Sequence, residues 1–314
     1  MVQATPLASK PCFSGTMTGV AAVLARMIPF RVLTLLLSFQ LLQPEAHAQS
    51  GERTRLALTM KELAAAETDA LRDSINERVK LQLRALLDAD ESFGRSYDSI
   101  PMSRVDAPDN AFRLFTWNVP REDGTHRYEG FLLVNNGKEQ SLYELRDMTS
   151  SIPSPEVPEL GPDRWYGALY YQVVPVKKAG RTYYTLLGWK GYSKVETRKV
   201  IEVLSFRNGR PRFGAPLFGG GRRRTMRKVY GFSFQSSMTL RYDPIMKGIL
   251  LDHLSPSRKD MEGQWAYYGP DMTHDAFFWY KGGWWYEPDI DARDPSPGTK
   301  RFNPPVRKSL EEGE

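Results

Sequence analysis

Between residues 165 and 189 the chain reads WYGALYYQVVPVKKAGRTYYTLLGW, with apolar and aromatic side chains at odd and even positions alike. In the first half Tyr166, Ala168, Tyr170, Val174 and Val176 share one face of an extended chain, and Trp165, Leu169, Tyr171 and Val173 share the other. In the second half Tyr183, Thr185, Leu187 and Trp189 oppose Tyr184, Leu186 and Gly188. Side chains alternate across a strand, so strands apolar on both faces belong in the middle of a sheet covered on both sides. The polar break Lys177-Lys178-Ala179-Gly180-Arg181 predicts the turn of a hairpin between them. This pair is the predicted centre of a β-rich domain.

Further strands are predicted at 112–119, 128–134, 140–146, 199–206, 210–218, 227–234, 237–242, 248–254, 264–268, 276–280 and 283–286. Asp123-Gly124, Asn136-Gly137, Asn208-Gly209 and Gly282-Gly283 punctuate them, and such pairs accept the positive φ of tight hairpin turns. Most gaps are too short for the crossover that a parallel pair needs. The predicted fold is mainly β: an antiparallel meander over 99–293, closed as a barrel or folded as a two-sheet sandwich. An N-terminal amphipathic helix precedes it within 49–98. Thr59-Met60-Lys61-Glu62 reads as a capping box after a mobile leader at 49–58, and Leu63, Leu71, Ile75, Val79, Leu83, Leu86 and Leu87 follow at near-helical spacing. The pattern fits one helix, or two joined near Thr68, ending before Phe93-Gly94. Pro153, Pro155, Pro158 and Pro162 predict a stiff loop before the central hairpin, and 294–314 a flexible tail.

The first residues add a destination. Met27 to Arg31 is a short basic start, Val32 to Leu42 an apolar run, and Ala46-His47-Ala48 a small-x-small cleavage pattern, so 1–48 reads as a signal peptide whose start is better placed at Met27. Its removal takes away Cys12, the one cysteine, which excludes disulfides and thiol chemistry from the mature chain. No transmembrane helix is expected after removal. The balance of 43 Lys+Arg against 37 Asp+Glu, a net +6, is too small to predict nucleic acid as a partner.

WYGALYY, TYYTLLGW, KVIEVLSF, FGAPLF, MTLRYD, LLDHLSP and YGPD, in that order, resemble a group of exported β-rich proteins of unknown function from the Bacteroidota, over about 112–291. The resemblance implies export to the periplasm or surface of a Gram-negative cell. It implies no activity and assigns no site residue.

Chemistry has to be sought residue by residue. The cluster Asp252-His253 and Ser255, followed by Asp271, His274 and Asp275, pairs imidazoles with carboxylates as a general base requires, and is the place for a hydrolase. The plainer reading makes His253 a structural residue at a strand end, bonded within its own loop or to the Gly269-Pro270-Asp271 turn. His126, beside Asp123-Gly124, is expected to be solvated. A zinc site from His253, His274 and a carboxylate matches no ligand framework. Asp289, Asp291 and Asp294 offer oxygen ligands at a spacing calcium accepts, without the glycine and distal glutamate of a helix-loop-helix calcium site. No cofactor is otherwise expected. Gly219-Gly220-Gly221-Arg222-Arg223-Arg224 could meet phosphates or anionic glycans, although a solvated hairpin loop explains it as well. Trp284 and Trp285 must point to opposite faces of one strand, so one of them is free to stack on a sugar. Gly-x-Ser-x-Gly, His-Glu-x-x-His and phosphate-loop motifs are missing. The leading expectation is a non-enzymatic binding or structural β-domain with an envelope protein or glycan as partner. A carbohydrate-binding or glycan-processing accessory protein, and a hydrolase centred on His253 and His274, are the alternatives.

The cleavage pattern yields the first test. Mass spectrometry of the exported protein should place its N-terminus at Gln49; an uncleaved chain retained in the cytoplasm would contradict the predicted export.

Overall fold

A computed structural model describes residues 43–89, 92–137, 139–219 and 224–291, with side chains described from residue 51. The chain divides into two compact units, Met1–Gly51 and Glu52–Glu314. Of the first, only the opening turns of helix α1 (Gln43–Ala65) are described, and the Ala46-His47-Ala48 pattern falls in them. The rest of that predicted signal peptide lies outside the described residues, as does the predicted tail from 294.

The second unit is layered. Helix α2 (Asp69–Asp88) starts at the predicted join, where the Thr68 hydroxyl accepts from the Leu71 N–H at 3.3 Å. Thr59 is no N-cap: it sits inside α1 and its hydroxyl donates to the Arg55 carbonyl at 3.0 Å. The helix begins upstream because Leu56 is buried on the same stripe as Met60 and Leu63, so the segment expected to be a mobile leader is helical. No described helix is long and apolar enough to cross a membrane.

The helical stripe packs on Phe115, Trp117, Val119, Phe131 and Leu133 of a first antiparallel sheet. Its strands are β1 (Ser103–Asp106), β2 (Phe112–Pro120), β3 (His126–Asn135) and β4 (Gln140–Arg146), in that order. Buried Asn76 of α2 ties the layers: it donates to Glu129 at 3.0 Å and accepts from the Trp117 indole at 2.8 Å. The other face of this sheet, with Phe112, Leu114, Leu132 and Val134, shares a core with the second sheet.

That second sheet contains the hairpin that dominates the sequence, β5 (Leu169–Lys178) and β6 (Arg181–Gly191), then β7 (Glu196–Arg207). The long β7 pairs along one half with β8 (Arg210–Phe213) and along the other with β9 (Lys228–Ser233). Tyr170, Tyr184, Leu186, Val200 and Leu204 face the first sheet. Val174, Val176, Leu187, Ile201 and Val203 face a third sheet, against Leu240, Ile249, Leu251, Phe277 and Trp284. The third sheet is again a meander: β10 (Leu240–Asp243), β11 (Gly248–Pro256), β12 (Tyr268–Tyr280) and β13 (Gly283–Glu287).

The predicted β class therefore holds with a different architecture. The thirteen described strands form three separate antiparallel sheets, none of which closes into a barrel, and the two-sheet sandwich becomes a three-sheet stack. The middle of β6 is covered on both faces as expected, but β5 is an edge strand with Tyr171, Pro175 and Lys177 exposed, where Pro175 leaves no ladder donor missing. Its face assignment also changes. The register skips Tyr171, and this bulge puts Tyr170 in one core with Leu169 and Val173 while Val174 and Val176 enter the other. Tyr170 lies against Gly188, where a Cβ would stand 2.9 Å from its ring. Strand 210–218 ends early at Phe213, and 264–268 is mostly a 3-10 turn, Trp265–Tyr267.

Covering both faces buries polar groups that must then find partners. The ion pair of Arg227 and Glu202, 2.7 Å apart, is fully buried between the first two sheets and the proline-rich loop. Arg227 also donates to the carbonyls of Pro155, Pro158 and Phe213, which fastens that loop to the second sheet. Lys190 lies within 4.1 Å of the Tyr128 ring centre and 4.7 Å of that of Tyr166, and donates to the Thr149 hydroxyl and the Gly167 carbonyl. Burial pushes its ammonium down to about 8 from 10.5, against the attraction of Asp147 and with some help from Arg198.

Two measurements test this packing. Leu187→Ala should lower the unfolding free energy by about 2–5 kcal/mol in chemical denaturation, since Leu187 is fully buried in the second core. A loss near zero would place it at a surface. For Lys190, the folded protein sheds its proton near pH 8 and the unfolded chain near 10.5, so the unfolded state holds more protons in between and stability rises with pH. Relative to Lys190→Met, the wild type should gain about 2 kcal/mol between pH 8 and pH 10. A pH-independent difference would mean that the ammonium is solvated. The window stops at pH 10 because Tyr128 and Tyr170, raised by burial, oppose unfolding less once the unfolded chain ionises its tyrosines.

Candidate functional site

The third sheet sorts the predicted acid–base cluster onto its two faces. Ile249 and Leu251 of β11 and Phe277 of β12 point into the core, and alternation carries His253 and Asp275 to that same side. Asp252 and His274 are direct cross-strand partners on the other side. There the His274 Nδ1 is 4.0 Å from Asp252, whose other oxygen accepts from the Thr239 N–H at 2.7 Å. The two histidines therefore do not converge, and a site built on both of them is not what the register makes.

What forms instead is a pair. The His253 Nδ1 is 2.8 Å from Asp275 Oδ2, across neighbouring strands and not within its own loop. Asp275 is 3% exposed, and it accepts further bonds from the Tyr286 hydroxyl at 2.6 Å and the Asp289 N–H at 3.2 Å. A carboxylate accepting from Nδ1–H leaves the Nε2 of a neutral imidazole free as a base. Burial, then the bond to Asp275, pushes the Tyr286 hydroxyl up, so it remains a donor.

The ladder breaks beside the pair. Register runs from Asp252–His274 to Leu254–Pro270, so His253 faces a three-residue bulge of Asp271, Met272 and Thr273. Met272 takes φ 73° and is 93% exposed, a strained conformation for a side chain of its size. The bulge brings Asp271 Oδ2 to 3.9 Å from His253 Nε2. Burial raises the Asp271 carboxyl, but bonds from Thr273, the charge of His253 and a bond from Ser255 outweigh it and hold it below the usual range. His253 opens into a cavity of about 250 Å³ lined by Tyr230, Gly231, Trp265, Tyr268, Asp275 and Tyr286.

Tyr268 is also a wall of a larger groove of about 630 Å³, which runs over Val195, Phe234, Tyr267 and the polar side chains of Ser233, Gln235, Ser236, Ser255 and Ser257. Phe234, Tyr267 and Trp265 are exposed at 61%, 49% and 46%. Trp265 lies over Gly231, where a Cβ would come within 2.8 Å of it, and its ring is 4.7 Å from that of Tyr268. Thus the aromatic groove and the histidine cavity adjoin at one end of the stack.

The other predicted positions fall elsewhere. Trp284 is buried and donates to Thr185 at 2.9 Å, so it belongs to the core, whereas Trp285 is half exposed on the opposite face against Gly219. Arg224 is exposed and near enough to Lys178 to reinforce the lowering that burial imposes on that ammonium. Arg222 and Arg223 lie outside the described residues, as does Asp294. Asp289 is turned by a φ of 53° to present its N–H to Asp275, and Asp291 follows it at the end of the described chain. Among the described residues no three His, Cys, Asp or Glu side chains gather as a metal site. His126 is not the solvated turn residue expected: it is half buried, 2.8 Å from the Asn118 amide and edge-on to Trp189, and burial, then Lys190, lowers its imidazole.

Sequence reading missed the groove. Its aromatics come from SFQSS and QWAYYGP, where small polar neighbours were the available sign of rings that no core would bury. No family model, curated protein or solved structure matches the chain significantly.

Proposed function

We propose that the protein is an exported envelope protein whose β-domain binds a glycan in the groove over Phe234 and Tyr267. The observation that carries this reading is the combination of the exposed rings of Phe234 and Tyr267 with hydroxyl and amide groups in one concavity. Sugar rings offer an apolar face for stacking and hydroxyls around their edge, and an aromatic–serine–glutamine lining answers both. None of the lining residues is a carboxylate, so the groove lacks the carboxyl pair that glycosidic cleavage uses. Binding is the role that remains for it. The single cation there, Lys194, suits a neutral or weakly acidic chain better than a densely charged one.

Affinity electrophoresis through gels containing soluble neutral or weakly acidic polysaccharides tests the reading. At least one polysaccharide should retard the wild type, and Phe234→Ala or Tyr267→Ala should abolish most of that retardation. Trp285→Ala, on the other face of the third sheet, should leave it intact. If no polysaccharide in a broad panel retards the protein, or if the groove variants migrate like the wild type, the reading is wrong.

A further inference from the structure

We propose that His253 is the general base of a hydrolytic site, which removes O-acyl groups from the glycan held in the adjoining groove. The proposal rests on the glycan reading for its substrate, and on the His253 cavity alone for its chemistry. Three features of that cavity point to a base and not to a core histidine. His253 is fixed through Nδ1 by a buried carboxylate that two further donors hold in place, so the ring is oriented and its tautomer set. Its side chain is 41% exposed and lines the cavity. The bulge then sets the Asp271 carboxylate 3.9 Å from the opposite ring nitrogen, too far for a direct hydrogen bond and near enough for one water beside the pair to bond to both.

The arrangement also selects the reaction. Among the described residues no side-chain hydroxyl is hydrogen-bonded to His253, whose side-chain partner is Asp275, so the nucleophile is water and not a side chain. A base with one activated water suits an ester, whose carbonyl carbon accepts attack directly, better than a glycosidic bond, which needs an acid and a second carboxylate. In the step, the water oxygen bonds to the acyl carbon and its proton passes to His253 Nε2. The bond from that carbon to the sugar oxygen then breaks, and the imidazolium returns the proton to the departing oxygen. The products are a free carboxylic acid and a sugar hydroxyl. Asp275 is a positioning residue, acting through His253.

The test uses the full mature chain with p-nitrophenyl acetate and with an O-acetylated polysaccharide. The wild type should hydrolyse p-nitrophenyl acetate faster than the same concentration of free imidazole. His253→Gln, whose amide can still donate to Asp275 and keep the fold, should lose about 100-fold or more. Asp275→Asn should lower kcat with KM little changed and shift the pH–rate profile, which a purely structural role would not do. Release of acetate from the polysaccharide should fall in Tyr267→Ala, while Trp285→Ala, on the other face of the third sheet, should leave turnover of p-nitrophenyl acetate unchanged. Polysaccharide binding without His253-dependent hydrolysis overturns the inference and leaves the glycan reading standing. His253-dependent hydrolysis of p-nitrophenyl acetate without polysaccharide binding supports the base and overturns the glycan reading. A folded His253→Gln variant that hydrolyses as fast as the wild type overturns the inference outright.

Discussion

A pair of central strands, β6 and β7, with no wet face along their middles is the constraint from which this structure follows. Between the two cores the middles of β6 and β7 exchange water for side chains on both sides, so each polar group buried there must be matched from within. Thr185 meets the Trp284 indole of the third sheet, Glu202 meets Arg227, and Lys190 meets two tyrosine rings and a pair of oxygens. Burial raises the Glu202 carboxyl, and the Arg227 guanidinium pulls it back. Such pairs add little net stability over apolar replacements, yet breaking one leaves an uncompensated charge that costs about 3–5 kcal/mol. Arg227 also donates to the carbonyls of Pro155 and Pro158, and so ties the proline-rich segment to the second sheet.

The same constraint explains where chemistry can sit. Rings are buried wherever two layers meet, so a ring exposed in a concavity marks a place where a layer ends. The ladder of the third sheet is broken at the bulge opposite His253, and the second sheet ends at the far end of β9, beside Phe234. At that junction the core face of β11 continues as a polar pair, His253 with Asp275, in place of the aliphatic run Ile249 and Leu251. A buried carboxylate there is affordable only because Tyr286 and the Asp289 backbone come from β13 and the turn after it to satisfy it.

Much of the framework was legible in the sequence because it depends on short-range patterns. Apolar residues on both faces of β6 announced a doubly covered strand, Thr68 announced the helix join, and alternation separated Trp284 from Trp285. The misses have physical reasons too. One extra residue at Tyr171 reverses every later face of β5, and nothing local in a run of tyrosines and valines marks it. SRVD, the β1 strand, is too short and polar to stand out, and pairs only because β2 offers an edge. His253 and Asp275 were both visible as candidates, but which histidine meets which carboxylate is a matter of register between β11 and β12 across an intervening loop. The groove depends on four segments, 194–195, 233–236, 255–257 and 266–270, that approach only after the sheets stack.

Native-state hydrogen exchange tests the central claim, that a pair of central strands buried on both faces along their middles organises the rest. Amides of β6 and β7 should be the slowest in the molecule and should exchange only with global unfolding, while those of β1 and of the 271–273 bulge exchange early by local opening. Faster exchange in β6 and β7 than in the outer sheets would contradict the account.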